Sequence, residues 1–574
     1  MSSWTNIEEE HARTGTVVIA GAGPIGLLVA TVLSHYGVRS ILLERNLSTT
    51  QWPKMDLTNT RSMEILRRLG LASALREQGV PSHFPLPVLF SSGLTAHEPI
   101  TRWDLPSVDE FRRHILANND GAQPLEPYQR ISQVIFEKWL KNICDKDPLI
   151  DVRFGWAVRA VDEERDKAQV TVENTQNGNT VIITADYLIG CDGASSQTRK
   201  SMGFALDGGP IPVCALLVHF KSRDLARIQK QGQFWHIFLL TPPGQFGGAI
   251  IAQDEIDTWT AHLFLPPDAD ASQIDSRDAV YQLLGGLGSK YEIDIDEILV
   301  RSVWRPTVGV AQTWTGPNCR VFIAGDAAHQ TIPTGGYGMN TGIGDAYDMG
   351  WKLAAVINGQ AGQELLRSYE QERKPVAAKN VEHSGEHFRV HGELAALFKD
   401  DTVLQIDQDT QPARALKRAI HEYYAEHDGE NKDLGFEVDY RYKSSVLVVD
   451  DEDDCAIPTW TSRHYTPSTY PGHRAPHIFL SDGSALYDHF GKHWTLLRFV
   501  DEASVSRVLL EAAKKQGVSV VEVDLAAEPL AVILYERKLV LVRPDMHVAW
   551  RGDAVDGADA DRILRTVTGR GSCA

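Results

Sequence analysis

The chain is poor in cysteine, has no long apolar run and carries no excess of positive charge. Its six cysteines, Cys144, Cys191, Cys214, Cys319, Cys455 and Cys573, are scattered, with neither a C-x-x-C pair nor metal-ligand spacing. That pattern argues against a disulfide framework and for a reducing compartment. No stretch approaches the ~18 apolar residues that cross a bilayer, and the acidic start MSSWTNIEEEHARTG lacks the apolar core of a signal peptide. A cytoplasmic protein with no membrane partner is expected. Acidic residues outnumber basic ones by 76 to 57, a formal net charge of −19, which speaks against nucleic acid as a partner. Any phosphate-bearing ligand must be held by local devices such as helix N-termini. Solenoid repeats and long low-complexity tracts are missing too, so the chain reads as folded nearly throughout.

What is present is 574 residues, more than one hydrophobic core usually serves, so two to four domains are expected. The first unit reads as βαβ. TVVIA is a short buried strand, PIGLLVATVLSHYG a helix ending at Gly37, and RSILLER a second strand finishing at Glu44. Between the first strand and the helix, Gly21, Gly23 and Gly26 match G-x-G-x-x-G, with Pro24 inside the motif. That spacing lets backbone approach a pyrophosphate and points helix N–H groups at it. Glu44, followed by Arg45, stands about 20 residues on, where a dinucleotide fold places the acid that binds an adenosine ribose.

From about 205 to 310, strand-like runs (VCALLVHF, QFWHIFLLTP, GGAIIAQ, TWTAHLFLP) alternate with Gly, Pro and Asp turns, predicting a mostly antiparallel domain. Helical patterns return from NTGIGDAYDMGWKLAAVI to about 425, an acidic linker follows at 450–454, and a compact α/β unit without C-x-x-C ends the chain. HSGEH, with His383, Glu386 and His387, spells an H-x-x-E-H zinc pattern that His391 continues along one helical face. Gly385 is expected to interrupt that helix and no further ligand is evident, so no metal is expected.

Two later segments decide which nucleotide is bound. ADYLIGCDGASSQTRK delivers Asp192-Gly193 from a strand into a turn and ends its polar run at Arg199, while RVFIAGDAAHQTIPTGGYGMNTGIGDAYDMGWKLA delivers Gly325-Asp326 into a Gly- and Pro-rich loop before a long helix. Together with the first glycine loop, they resemble the FAD signature of the single-component flavoprotein aromatic hydroxylases, the para-hydroxybenzoate and phenol hydroxylase group. DLTNTRSMEILRRLGL and PYQRISQVIFEKWL are similar to two further segments of that family, and PGHRAPHIFL and LVRPDMHVAWRG to the thioredoxin-like extra domain of its phenol hydroxylase branch.

The resemblance implies an α/β protein with three parts: a Rossmann-like FAD-binding domain in pieces (1–85, 120–203, 312–380), a mostly antiparallel substrate domain (86–119 and 204–311) and, after a helical connection (381–440), a thioredoxin-like domain (441–574). It puts the FAD pyrophosphate near Gly21, Gly23 and Gly26, adenosine ribose at Glu44 and the ribityl chain at Asp326. Arg61, Arg130 and Gln133 come from the segments that flank the cofactor, and Pro333 with the backbone of Gly338, Met339 and Asn340 would meet the isoalloxazine. Asp192 and Arg199 lie in the segment associated with transient NAD(P)H binding. The implied reaction is reduction of FAD by NAD(P)H, capture of O2 as a flavin hydroperoxide and oxygen transfer to an electron-rich ring. Because a phenol reacts faster as its anion, a base is needed, and Asp56, five residues before Arg61, is the first candidate. The competing reading makes it a cap or turn aspartate. His236 and Tyr337 are lesser candidates.

Trp235, Phe246, Trp259 and Phe264 are candidate pocket walls, although strand aromatics are usually core. Two positions depart from the family pattern: Lys54, where arginine is more usual, and Asp348, where asparagine usually precedes WKLA. Baeyer–Villiger oxygenation or epoxidation of a polycyclic substrate shares the scaffold, and a catalytically quiet flavoprotein with an interaction module is a third reading. The resemblance favours a homodimer.

Overall fold

Val17–Ala20 is apolar at every position and forms the middle strand of a five-stranded parallel sheet, as expected of a strand covered on both faces. In the computed structural model, which describes residues 8–242, 247–394, 401–449 and 457–571, its neighbours are Tyr187–Gly190 and then Val321–Ile323 on one side, and Ser40–Glu44 and then Ile150–Phe154 on the other. Val17–Ala20, Tyr187–Gly190 and Val321–Ile323, being parallel neighbours, therefore end on the same side of the sheet, where Gly21, Cys191-Asp192 and Ala324-Gly325 emerge side by side. Cys191 N–H donates to the Ala20 carbonyl at 2.7 Å and Ala324 N–H to the Gly190 carbonyl at 3.0 Å. Ligands of open parallel sheets bind at that edge.

Helix Pro24–His35 packs along helix Tyr337–Ile357 at two small residues. A Cβ placed on Gly342 would come within 2.6 Å of Ile25, and one on Gly350 within 2.5 Å of Val32. Because Ile25 is the second residue of its helix and Gly342 the sixth of the other, both helices begin in the same neighbourhood.

The second layer is a seven-stranded sheet in the order Glu297–Trp304, Cys214–Lys221, Thr258–Leu265, Gly248–Ala252, His236–Leu239, Val88–Ser91, Thr101–Trp103. Every pairing is antiparallel except that of His236–Leu239 with Val88–Ser91. One face, with Val218, Ile237, Ile250, Trp259 and Ala261, is buried against helix Ser276–Gly285. Trp259 belongs to this core and donates its indole N–H to the Ser222 carbonyl at 2.9 Å, so it does not wall the other face. That face carries His236, Phe238 and His262, and the long helix Glu364–Leu394 meets it through His391, stacked on Phe238 at 4.5 Å, and Phe388 against Phe264 at 6.0 Å.

That helix runs 31 residues without interruption. The expected break at Gly385 is absent: a mid-helix glycine costs only about 1 kcal/mol, and burial of His383, Ser384 and His387 on one face outweighs it. The division expected at 380/381 therefore falls inside a continuous helix. The C-terminal sheet, ordered Val520–Asp524, Trp494–Arg498, Leu539–Val542, Val548–Gly552, pairs its first two strands parallel and the rest antiparallel. With helices Ser504–Gln516, Pro529–Tyr535 and Gly557–Val567 it is the thioredoxin-like unit. Phe246, Cys455, Cys573 and the acidic run 450–454 lie outside the described residues. Among those described, no helix is long and apolar enough to cross a membrane.

Candidate active site

The glycine loop closes on itself before it opens to solvent. A Cβ on Gly26 would run into the Gly21 carbonyl oxygen, whereas one on Gly23 would meet nothing within 4 Å. Gly21, at φ +96°, takes the left-handed turn that a side chain disfavours. Gly23 is the N-cap of its helix and supplies no side-chain acceptor, so the first-turn N–H groups face open space, as an anion site requires. Glu44 accepts the Ala22 N–H at 3.0 Å, which fixes the second strand's acid beside the loop. The neighbouring helix starts in the same way: its N-cap Gly336 is left-handed at φ 64° and offers no side-chain cap. Asp326, just past the end of Val321–Ile323, is exposed at the same sheet edge, and the protein around it pushes its carboxyl pKa up through desolvation. Two uncapped helix starts and one carboxylate fit a ligand with a negative middle and hydroxyl-bearing arms.

Asp56 precedes the short strand Leu57–Thr58, which pairs with Gln129–Arg130. Its carboxylate accepts the Trp235 indole N–H at 2.5 Å and lies 3.2 Å from His236 Nε2. Burial alone would raise its pKa, but the hydrogen bonds to His236 and Trp235 and the Arg130 charge overcome burial and hold the carboxyl below its ordinary value. Asp56 is therefore ionised. It caps no helix: helix Thr60–Arg68 is capped by Asn59, which accepts the Ser62 N–H at 2.9 Å.

Residues 14–384 match the family described as FAD binding domain, and residues 468–571 that described as Aromatic-ring hydroxylase, C-terminal. The chain belongs to the FAD-dependent aromatic-ring hydroxylases. It is 49% identical to the FAD-dependent monooxygenase apdD of Emericella nidulans over 98% of this chain and 92% of that protein, and 28% identical to the phenol 2-monooxygenase of Pseudomonas sp. over 96% and 91%. Among solved structures it superposes with the flavin-dependent monooxygenase PieE in complex with FAD and substrate at a TM-score of 0.82, with 27% identity over 97% and 98% of the two chains. It is an FAD-dependent monooxygenase.

In this hydroxylase several residues expected around the cofactor are committed to protein partners. Arg61 donates to the Tyr440 hydroxyl at 2.8 Å, Glu64 at 3.1 Å and the Asp545 carbonyl at 2.7 Å. Arg130 bonds Glu255 and the Ala252 carbonyl at the end of strand Gly248–Ala252 and lies 6.0 Å from the Trp235 ring. Gln133 donates to Glu137 at 2.6 Å. Asp192 accepts the Gln197 and Thr198 N–H groups at 2.7 and 2.9 Å, and Arg199 donates to the Ala327 and Ala194 carbonyls, both at 2.9 Å, bracing two loops of the nucleotide edge together. Asn340 accepts the Asn59 N–H at 2.9 Å and the Ser62 hydroxyl at 2.7 Å, joining the two helix starts nearest Asp56. Pro333 is exposed, Gly338 and Met339 are half-buried, and Arg45 is exposed beyond Glu44.

Tyr337 is buried with its hydroxyl 3.4 Å from His387 Nε2, and burial raises its pKa well above the ordinary value. It packs in a histidine ladder against His383 and His387. The sequence pattern around HSGEH did miss a partner: Asp433 joins His383 and His387, their ligand atoms all within 4.8 Å of one another. Both His383 nitrogens are already engaged, Nε2 with Asp433 and Nδ1 with Glu386, each at 2.7 Å. One rung further, Glu430 links His391 at 2.8 Å to the Gly335 N–H at 2.8 Å, tying the ladder to the loop before helix Tyr337–Ile357. Glu430 was not legible in sequence, nor was His262, an unremarkable strand histidine until its register is known.

Proposed function

We propose that this monooxygenase hydroxylates a phenolic or polyketide-like aromatic ring held between the His236-bearing face of the seven-stranded sheet and the nucleotide edge. The observation that carries this is the ionised Asp56 carboxylate, fixed by Trp235 and placed 3.2 Å from His236 Nε2. A phenol, with a pKa of about 10, must shift electron density from its O–H toward the ring before an electrophilic oxygen is accepted. Asp56 accepts that hydrogen bond, and His236, on the same oxygen, is placed to carry the proton toward the cleft.

The glycine loop and the uncapped start of Pro24–His35 hold the FAD pyrophosphate in this reading, Glu44 the adenosine ribose and Asp326 the ribityl hydroxyls. The N–H groups opening Tyr337–Ile357 face the ring system and stabilise negative charge there. FAD, reduced by NAD(P)H, supplies the oxygen activation; the protein's part is to orient the ring, to take its proton and to exclude water. Support for the substrate class comes from the relatives, among them a phenol 2-monooxygenase and an aklavinone 12-hydroxylase.

The test is flavin-loaded protein assayed for NADPH oxidation with and without simple phenols and fused-ring polyketides, with products read by mass spectrometry. Asp56→Ala is expected to keep its flavin absorbance and lose coupled hydroxylation; full hydroxylation by that variant removes Asp56 from the reaction.

A further inference from the structure

His262 is a half-buried histidine, one of whose nitrogens has no hydrogen-bond partner among the described residues. It sits on Thr258–Leu265 opposite Ala249 and Leu217, and Ala249 in turn lies opposite Phe238. Directly paired residues project to the same face, so His262 leaves the sheet on the side of Phe238 and His236. Only the Ala249 methyl separates it from Phe238 along that row. His262 Nε2 is buried and has no hydrogen-bond partner among the described residues. His219 on the next strand shows the satisfied alternative, its Nδ1 within 3.0 Å of the Trp259 carbonyl and 3.1 Å of the Thr260 hydroxyl.

The electrostatic neighbours of His262 are His236 and Asp56, and burial, then the His236 charge, lower its pKa to about 4. Its imidazole is therefore neutral at working pH, with one N–H donor and one acceptor. A buried polar atom left unpaired is costly, and it calls for an explanation when it lies within electrostatic reach of the Asp56 carboxylate.

We propose that His262 Nε2 hydrogen-bonds a second oxygen of the substrate, so that the ring bound here carries two oxygen substituents, one read by Asp56 and the other by His262. A neutral imidazole suits a hydroxyl or carbonyl oxygen. This rests on the reading that Asp56 takes the first oxygen.

Phenol, catechol, resorcinol and hydroquinone are titrated into the flavin-loaded enzyme, with dissociation constants read from the perturbed flavin absorbance. Wild type prefers at least one diol over phenol. In His262→Leu that preference falls roughly tenfold or more, while flavin content is retained and the melting temperature holds or rises, because an unpaired polar group has been removed. Equal weakening of phenol and diol, a melting temperature several degrees lower, or the absence of any diol preference in wild type overturns the proposal. Asp56→Asn separates the two readings. If it weakens every ligand while His262→Leu leaves the preference intact, the His262 assignment falls alone. If Asp56→Asn is silent, the Asp56 reading falls and takes the two-point pairing with it.

Discussion

Trp235 donates its indole N–H to the Asp56 carboxylate over 2.5 Å, joining the seven-stranded sheet to a segment 179 residues earlier in the chain. The bond is one of the forces that hold the Asp56 pKa down against burial, with His236 and Arg130. Trp235→Phe keeps the ring and deletes the donor, so the folded-state pKa of Asp56 rises. The acid limb of the kcat/KM profile for phenol-driven NADPH oxidation is expected to move upward. A limb that stays in place means another group titrates there.

Gly26→Ala places a methyl against the Gly21 carbonyl oxygen, and the loop must open to admit it. The first-turn N–H groups of Pro24–His35 are then displaced from the anion they would bind. The purified variant is expected to carry less than about a tenth of the wild-type flavin absorbance per chain while its far-ultraviolet circular dichroism is retained. Wild-type flavin content would place the pyrophosphate elsewhere.

What the sequence disclosed was local, and what it concealed depended on register or on distant partners. The glycine spacing, the strand before it and Glu44 lie within 28 residues, so hydrophobic patterning and turn chemistry are enough to read them. Trp235 and Trp259 looked equivalent as strand aromatics. Only the pairing shows that Trp259 belongs to the face under helix Ser276–Gly285, while Trp235 reaches Asp56. The family resemblance puts Arg61 and Arg130 beside the cofactor, whereas the protein partners that engage them, at 64, 440, 545 and 255, 252, come mostly from far along the chain and are out of reach of local patterning. Gly385 was misjudged for the opposite reason, since local propensity pointed one way and tertiary packing decided the other.

The thioredoxin-like unit is held to the nucleotide domain by buried charge. Glu64 pairs with Arg61 at 3.1 Å and with Arg474, which is itself fully buried, and accepts the Leu125 N–H at 2.7 Å. Glu64→Gln leaves two guanidinium groups without a counter-charge in the interior, a loss of about 3–5 kcal/mol by analogy with broken buried pairs. Chemical denaturation should show the midpoint falling accordingly, and a loss under about 1 kcal/mol would mean the arginines find other partners.

Asp348, which stands where the family usually has asparagine, lies in a buried cluster with an odd charge. Asp348, Glu372 and Asp545 are three carboxylates facing two cations: Lys352 lies 2.8 Å from Asp348 and 2.6 Å from Glu372, and Arg543 bonds Glu372 at 2.6 Å and Asp545 at 2.6 Å. The neighbouring His547 adds no third cation, because burial lowers its pKa. Burial, with Glu372 close by, raises the Asp348 pKa to about 7 in spite of Lys352. A carboxyl whose folded pKa lies above its unfolded one binds its proton more tightly in the native state. Its contribution to stability therefore declines as pH rises from about 4 to about 7, and the penalty is complete above that. Asp348→Asn leaves two carboxylates with two cations and nothing in the cluster that must give up a proton. Melting temperatures measured at pH 5, 6, 7 and 8 should show the variant gaining on wild type at each step up to about pH 7 and holding that lead at pH 8. Two parallel curves would mean that Asp348 stays ionised throughout, its charge already balanced by Lys352.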